Sequence, residues 1–279
     1  MEKKNHGKKY ISVTQLGMFE QCGVRYHFRY VRGIIAPPPI ALLKGTGVHG
    51  GARENFRHKK EAHEDLPRKE IIECSVSAFE KAYSQAGEIL PTPEEEAMGI
   101  KNAIGRAKDS VAALSGIFAD QVAPHYQPIY VEEGQRIIVP QSNYDLLAVM
   151  DLADEQDVVM DLKTAGKSKT QRDVDTSEQL SFYALVFKAL TKRLPREVRL
   201  EVLVDKKAPD VQRLSSARDD QDLQVLLTRI STMVKALDHN MSQIEEKTGK
   251  DFWIPADPSW WGCSPRYCGY WSMCDCVKH

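Results

Sequence analysis

The chain has 279 residues, enough for one large domain or two small ones with a sizeable core. Its 38 Lys and Arg nearly balance 39 Asp and Glu, so overall charge excludes a strongly basic nucleic-acid binder and any DNA contact needs a local basic groove. No apolar run approaches the roughly 20 residues of a membrane span, so we expect a cytoplasmic protein with no membrane partner.

The N-terminal region predicts a tail followed by a helix. Residues 1–10 are basic and are expected to form a disordered tail. Ser12 and Gln15 have the spacing of a capping box, which predicts a helix that runs towards Tyr30 with Cys22 in its middle. A single cysteine inside a helix is more often buried packing than a ligand.

A mostly helical region is predicted over residues 57–125. Three prolines at 37–39 predict a loop, and the glycine-rich segment around His49 then predicts the start of an amphipathic helix. The residues alone leave two roles open for His49, a functional ligand or an ordinary surface histidine at a helix start. Residues 57–69 are highly charged and predict an exposed connection, followed by helices at Glu70–Gly87 and Pro93–Ala123.

The centre of the chain predicts a hairpin of two strands. A strand pair at Pro128–Glu133 and Gln135–Val139 leads into it, and the hairpin itself joins Leu146–Asp151 to Val158–Lys163 through an acidic turn. Because side chains alternate along a strand, Asp161 and Lys163 share one face. A turn centred on Gln156 places Asp151 opposite Asp161, with side chains roughly 5 Å apart.

Two facing carboxylates beside a lysine suit phosphodiester hydrolysis. Mg²⁺ prefers oxygen ligands and takes one or two carboxylates together with water and substrate phosphate. Metal ions supply charge stabilisation to such a reaction, and Lys163 would hold the attacking water or stabilise developing charge. The alternative is a salt-bridged edge hairpin with solvated charges, and the spacing alone does not decide between the two.

Beyond the hairpin, the sequence predicts a βα unit and a long helix. A helix over Val174–Leu190 places Gln179 and Tyr183 on one face, since they are four residues apart. Val198–Asp205 then predicts a strand parallel to the hairpin, and Asp219–Lys247 predicts a long helix.

A cysteine-rich segment occupies residues 259–279. Its cysteines are interleaved with aromatic residues and lie at positions 263, 268, 274 and 276. Clustered thiolates of this kind bind Zn²⁺ or an iron–sulfur cluster, which fits this chain better than a secreted disulfide framework.

Asp151, followed after a turn by Asp161-Leu162-Lys163, resembles the core of the PD-(D/E)XK nuclease superfamily. Three further features resemble motifs of the RecB-like exonuclease branch, which includes CRISPR-associated and phage members. They are a histidine four residues after a glycine, at His49 and Gly45, the pair of Gln179 and Tyr183, and the cysteines. The resemblance implies an α/β fold of the restriction-endonuclease type, with a central mixed sheet flanked by helices. It also implies a single nuclease domain over residues 11–279.

The resemblance implies the roles of the site residues. His49, Asp151, Asp161 and the carbonyl of Leu162 would hold Mg²⁺ or Mn²⁺, with Lys163, Gln179 and Tyr183 as catalytic partners. A [4Fe–4S] cluster would be bound by the four cysteines Cys22, Cys263, Cys268 and Cys274. Cys276 is an alternative to Cys274, and a local Zn²⁺ site of the tail cysteines is an alternative to the cluster. The chain departs from the family pattern at Ala148, where a glycine is usual, and in the four residues between Cys263 and Cys268.

The implied activity is cleavage of DNA by a metal-dependent exonuclease that prefers single strands or ends. The resemblance further suggests a bacterial or phage-encoded protein, and a homo-oligomeric ring would suit such an enzyme. Two other functions remain open at this point. One is a DNA-binding subunit of a helicase or recombination complex that has a nuclease fold, and the other is a zinc-stapled interaction protein.

Overall fold

The computed structural model describes residues 9–138, 143–245 and 253–275, and it divides the chain into two compact units. The first unit comprises residues up to 36, residues 134–148 and residues from 220 onwards; the second comprises residues 37–133 and 149–219. No helix in the described part of the chain is long and apolar enough to cross a membrane.

Helices form most of the N-terminal part of the described chain, and strands and helices share the rest. In chain order the elements are β1 Lys9–Ser12, α1 Val13–Gln21, α2 Gly23–Tyr26, α3 Ile40–Ala62, α4 Arg68–Ala86, α5 Pro93–Met98, α6 Ile100–Gln121, β2 Pro128–Ile137, β3 Tyr144–Asp154, β4 Val158–Ala165, α7 Gln171–Asp175, α8 Glu178–Thr191, β5 Glu197–Val204, β6 Asp210–Ser216 and α9 Asp220–Glu245. A π-helical turn, His27–Val31, follows α2.

In the first unit, β1 runs parallel to the start of β3, with Lys9 paired to Tyr144. Lys9 and Tyr10 therefore belong to a strand, which corrects the prediction of a tail to residue 10; residues 1–8 lie outside the described part. The predicted capping box is confirmed, because the Ser12 side chain accepts from the Gln15 N–H and the Gln15 side chain accepts from the Ser12 N–H. It begins α1 directly after β1.

The second unit contains a mixed sheet with helices on both faces. Strand β4 is antiparallel to β3 and parallel to β5, and β6 is antiparallel to β5. Alternate residues of β4, Val158, Met160 and Leu162, join a buried core with α3, α4 and α6. Helix α8 packs against β4 and β5, and its Gln179 meets the opposite face of β4. The predicted α/β fold with a flanked mixed sheet is thereby confirmed.

Several predicted boundaries were wrong for local reasons. The charged residues 57–62 continue α3, and the predicted helix over Pro93–Ala123 is interrupted at Gly99, whose φ is +84°. One strand, β2, replaces the predicted pair around residues 128–139, of which Val139 lies outside the described part. Strand β6 was not predicted, because its exposed, polar residues carry little apolar alternation.

Candidate functional site

The hairpin of β3 and β4 places the two predicted carboxylates opposite each other. Leu152 pairs with Met160 and Ala153 with Val159, so the same register continued by one residue sets Asp151 against Asp161. Asp154 fixes this register, because its Oδ1 accepts from the N–H groups of Gln156 at 2.9 Å and Val158 at 2.8 Å. One of the acidic side chains of the predicted turn thus holds the turn together.

Asp161 is a buried carboxyl whose environment disfavours its charge. Its residue is 1% exposed, and burial is the main reason that its pKa rises to about 7. Lys163 opposes this shift of the pKa, whereas the neighbouring Asp151 adds to it. A divalent cation beside Asp161 would stabilise its charged form more than Lys163 alone does, so the site suits a divalent metal ion.

A chain of hydrogen bonds joins the predicted catalytic residues. Lys163 Nζ donates to Asp161 Oδ1 at 3.1 Å and to Gln179 Oε1 at 2.8 Å. Gln179 Nε2 then donates to the Tyr183 hydroxyl at 2.7 Å, and this hydroxyl donates to Asp151 Oδ1 at 3.1 Å. The structure therefore brings together five residues that are spread over 33 positions of the sequence.

Helix α8 presents Gln179 and Tyr183 to the sheet from its first two turns. Its start is fixed by Ser177, whose side chain accepts from the N–H of Leu180. Tyr183 is buried, and burial together with the charges of Asp151 and Asp161 raises its pKa well above the ordinary value. Its hydroxyl therefore keeps its proton and serves as a donor to Asp151.

His49 lies in the middle of α3, not at the start of a helix as predicted. The glycines near it were misleading, because they allow close helix packing: a Cβ on Gly47 would lie 2.8 Å from Phe79 Cβ, and one on Gly51 would lie 1.9 Å from Ser75 Oγ. From this helix, His49 Nδ1 lies 3.8 Å from Asp151 Oδ2. The structure thus brings His49 to the carboxylate pair through helix α3.

The backbone of β4 also contacts Asp151. The N–H of Leu162 donates to Asp151 Oδ2 at 3.4 Å. In the described part of the chain, no group of three or more His, Cys, Asp or Glu side chains is arranged to hold a metal ion by itself. Two carboxylates nevertheless suit Mg²⁺ or Mn²⁺, since such ions take their remaining ligands from water and substrate phosphate.

A cavity of about 300 Å³, partly open to solvent, adjoins Asp151. His49 and Asp151 line it together with Arg53, Glu132 and six other residues. The sequence patterns assign no role to Arg53 or to Glu132. The sequence does contain one indication of this position for Arg53: it lies one helical turn after His49, so the two side chains share a face of α3.

The first unit contains a second candidate site, a cavity lined by four cysteines. Cys22, Cys263, Cys268 and Cys274 all line one space of about 370 Å³ that is partly open to solvent. Cys276 lies outside the described residues. Cys74 lies on α4 in the second unit, partly exposed.

Cys22 occupies a break between two helices, which corrects the prediction of a continuous helix to Tyr30. Its backbone is extended, with φ −165° and ψ 105°, so it ends α1 and precedes α2. Its Sγ accepts from the N–H of Arg25 at 3.5 Å. The break turns the sulfur of Cys22 into the cavity.

The other cysteines of the cavity influence one another electrostatically. Burial raises the pKa of Cys263, and the neighbouring Cys22, Cys268 and Cys274 raise it further. Burial also raises the pKa of Cys268, which the charge of Arg25 partly offsets. Cysteines are the ligands of thiolate-binding metals and iron–sulfur clusters, but the described side chains of this cavity do not yet form a metal-binding group.

Comparisons with known proteins agree with this geometry. A family model of the PD-(D/E)XK nuclease superfamily matches residues 10–275. No curated protein matches the chain. The crystal structure named "Putative exonuclease" from Eubacterium rectale is similar in fold, with a TM-score of 0.50 and 14% identity over 94% of this chain and 92% of that one. The crystal structure of SSO0001 covers 94% of both chains at 12% identity, and its TM-score of 0.32 is too low to support an argument.

Proposed function

Since this chain belongs to the PD-(D/E)XK nuclease superfamily, we propose that it is a metal-dependent DNA nuclease that degrades single strands or DNA ends as an exonuclease. The observation that carries the proposal is the hydrogen-bond chain from Asp161 through Lys163, Gln179 and Tyr183 to Asp151. A protein that only binds DNA has no need for a lysine held beside two facing carboxylates.

His49, Asp151, Asp161 and the carbonyl of Leu162 are the proposed ligands of Mg²⁺ or Mn²⁺. Such an ion supplies charge stabilisation to the phosphate and a more acidic bound water. The raised pKa of Asp161 and its position opposite Asp151 support this assignment, because a cation would relieve the repulsion between the two groups.

Lys163 is the proposed partner of the attacking water. Its ammonium group is held by one charged acceptor, Asp161, and one neutral acceptor, Gln179, so its third N–H remains to contact water or a phosphate oxygen. Gln179 and Tyr183 act through Lys163 and Asp151: Gln179 orients the ammonium group, and Tyr183 orients the carboxylate.

The four cavity cysteines are the proposed ligands of a [4Fe–4S] cluster, with Zn²⁺ as the competing occupant. Cys22 comes from near the start of the described chain and the other three from its end, so a bound cluster would cross-link these segments of the first unit. Because metal binding contributes directly to folding free energy at such sites, the proposed role of the cluster is structural. A broad absorbance near 400 nm would identify iron–sulfur, whereas zinc would leave the protein colourless.

DNA digestion by anaerobically purified protein tests the proposed activity. Single- and double-stranded oligonucleotides labelled at the 5′ or the 3′ end are incubated with Mg²⁺ or Mn²⁺, and wild type is compared with Lys163→Ala. We expect metal-dependent release of short products from single strands or ends, and its loss in the variant. The label that is released first gives the polarity.

A well-folded, metal-loaded wild type that leaves every substrate intact would contradict the nuclease. Cleavage that persists unchanged in Lys163→Ala would contradict the assigned site. Lys188→Ala is the matched control, because Lys188 lies in the last turn of α8 and has no place in the hydrogen-bond chain. It should cleave at the wild-type rate.

A further inference from the structure

A pair of arginines follows His49 along one face of α3. Arg53 and Arg57 lie four and eight residues after His49, so the three side chains form a row along the helix. Arg53 lines the same cavity as His49 and Asp151. The row thus begins beside the carboxylate pair and leads away from it.

Both arginines face the carboxylate of Glu132. Arg53 Nη1 lies 3.7 Å from Glu132 Oε1, and Arg57 Nη2 lies 3.4 Å from Glu132 Oε2. Glu54 contacts the same pair, with Arg53 Nε donating to its Oε1 at 3.0 Å. Two positive charges therefore meet two negative ones, and the cluster is neutral.

The contacts of Glu132 are loose for charged partners. Hydrogen bonds between a guanidinium and a carboxylate are usually about 2.7–2.9 Å long, so distances of 3.4 and 3.7 Å leave the carboxylate poorly bound by either arginine. Each guanidinium has five N–H donors, of which these contacts use few. The two groups retain donors for a stronger acceptor.

Glu132 has a strained backbone conformation. Its φ is +47°, in the left-handed region that side chains other than glycine adopt at an energetic cost. From this position on β2, the carboxylate faces both arginines of α3. Backbone strain of this kind clusters at ligand-binding sites, and a loosely held carboxylate is a group that an incoming anion can replace.

We propose that Arg53 and Arg57 bind a phosphate of the DNA strand next to the one being cut, and that Glu132 occupies this site until the strand displaces it. The inference rests on the proposed nuclease function and extends it to how the strand is held. An arginine pair suits a phosphodiester, because each planar fork can donate two parallel hydrogen bonds to its oxygens.

Equilibrium binding of a fluorescent single-stranded oligonucleotide tests the proposal, with Ca²⁺ in place of Mg²⁺ and cleavage measured in parallel in Mg²⁺. Arg53→Gln and Arg57→Gln should each raise Kd about tenfold, the cost of losing a charged hydrogen bond. Each should also lower the slope of log Kd against log salt, by no more than about 0.7, because the two arginines share one phosphate and 0.7 is the value for one lost phosphate contact on a single strand.

Glu132→Gln separates this proposal from a purely structural ion-pair cluster. If Glu132 competes with the strand, removing its charge lowers Kd; if it only holds the arginines in place, Kd rises or stays the same. Arg53→Lys keeps the positive charge but loses the planar guanidinium group that can donate two parallel hydrogen bonds. Its salt slope should therefore equal that of wild type, unlike that of Arg53→Gln, while its Kd should be higher than that of wild type. Melting curves of all variants report on folding independently.

Arg68→Gln is the matched control, because Arg68 forms a comparably exposed pair with Asp120 on helices α4 and α6. It should leave Kd and the salt slope unchanged. The phosphate site would be overturned if every variant had the Kd and salt slope of wild type. The proposed nuclease would still stand in that case, provided that cleavage depends on Lys163. A wild type that neither binds nor cuts DNA would overturn both.

Discussion

The carboxylate site and the cysteine-lined cavity differ in what holds their functional atoms in place. Around Asp151 and Asp161, side chains position one another through a continuous series of hydrogen bonds. At the cavity, by contrast, four thiols line a space of about 370 Å³, and burial together with the neighbouring cysteines raises the pKa of Cys263. The first site is therefore ordered by its own hydrogen bonds, whereas the proposed occupant of the second site would itself hold the four cysteines in place.

Cys268→Ser sharpens this comparison most strongly. Cys268 is buried in the cavity, and losing one ligand of a structural metal site removes part of a binding free energy on the order of 10 kcal/mol. We expect the variant to lose the absorbance near 400 nm and most of its cooperative thermal unfolding. Cys74→Ser is the control, since Cys74 lies on α4 and does not line the cavity. A Cys268→Ser protein as stable as wild type would show that the cavity needs no occupant.

Lys163→Ala should have the opposite signature, with lost activity and retained stability. Removing one preorganised donor at the reacting phosphate costs about 100-fold to 1,000-fold in kcat. Lys163 is partly exposed, so truncating it should change the melting temperature little. Single-turnover cleavage and thermal unfolding of the same sample measure both effects. A variant that unfolds as Cys268→Ser does would contradict the distinction between the two sites.

Asp161→Asn tests whether the ionised, buried Asp161 lowers the free energy of unfolding and whether a bound metal ion restores it. The pKa of Asp161 is raised to about 7 in the folded protein from an ordinary value of 3.8, so protonation favours the folded state. Wild-type stability from this group is therefore fully present below pH 4 and is lost as the pH rises to about 7. We expect the variant in EDTA to match wild type near pH 4 and to exceed it above pH 7, by on the order of a few kcal/mol.

Urea unfolding at several pH values measures this difference. Saturating Mn²⁺ should abolish the advantage of Asp161→Asn, because the ion stabilises wild type and not the variant. An advantage of the variant that is the same at pH 4 and pH 8 would show that Asp161 is not the titrating group.

Tyr183→Phe should have the smallest effect of the series. The change removes one hydrogen bond to Asp151 and one from Gln179, and leaves the packing of the ring intact. We expect about a tenfold fall in kcat with a loss of about 1 kcal/mol in stability. Tyr83→Phe on the exposed face of α4 is the control and should do neither. A larger fall in kcat than that of Lys163→Ala would place Tyr183 in direct contact with the reacting groups.

Local patterns predicted the hairpin well because its register depends on nearby residues. A turn centred on Gln156 predicts Asp151 opposite Asp161, and the adjacent pairs Leu152–Met160 and Ala153–Val159 have this register. The spacing of Gln179 and Tyr183 predicted a shared helical face, which the structure also has. These relations span a few residues, so alternation and helical periodicity determine them.

Longer-range features were harder to predict. The glycines around His49 indicated a helix start, yet they serve the packing of α3 on α4, which no local pattern reveals. The break at Cys22 lies between helical segments that read as one helix in the sequence. The cavity around it depends on residues about 240 positions away in the chain. Such contacts are set by tertiary packing, which overrides local propensity.

The dependence of cleavage on Mn²⁺ tests the central claim most directly, that Asp151 and Asp161 hold the ion with which DNA is cut. Digestion of an end-labelled single strand is followed at increasing Mn²⁺ concentration with wild type and Asp161→Asn, both checked for folding. We predict that cleavage by wild type rises to saturation and that the variant cleaves at no concentration tested. Equal cleavage by the two proteins, at equal Mn²⁺ requirement, would contradict the account.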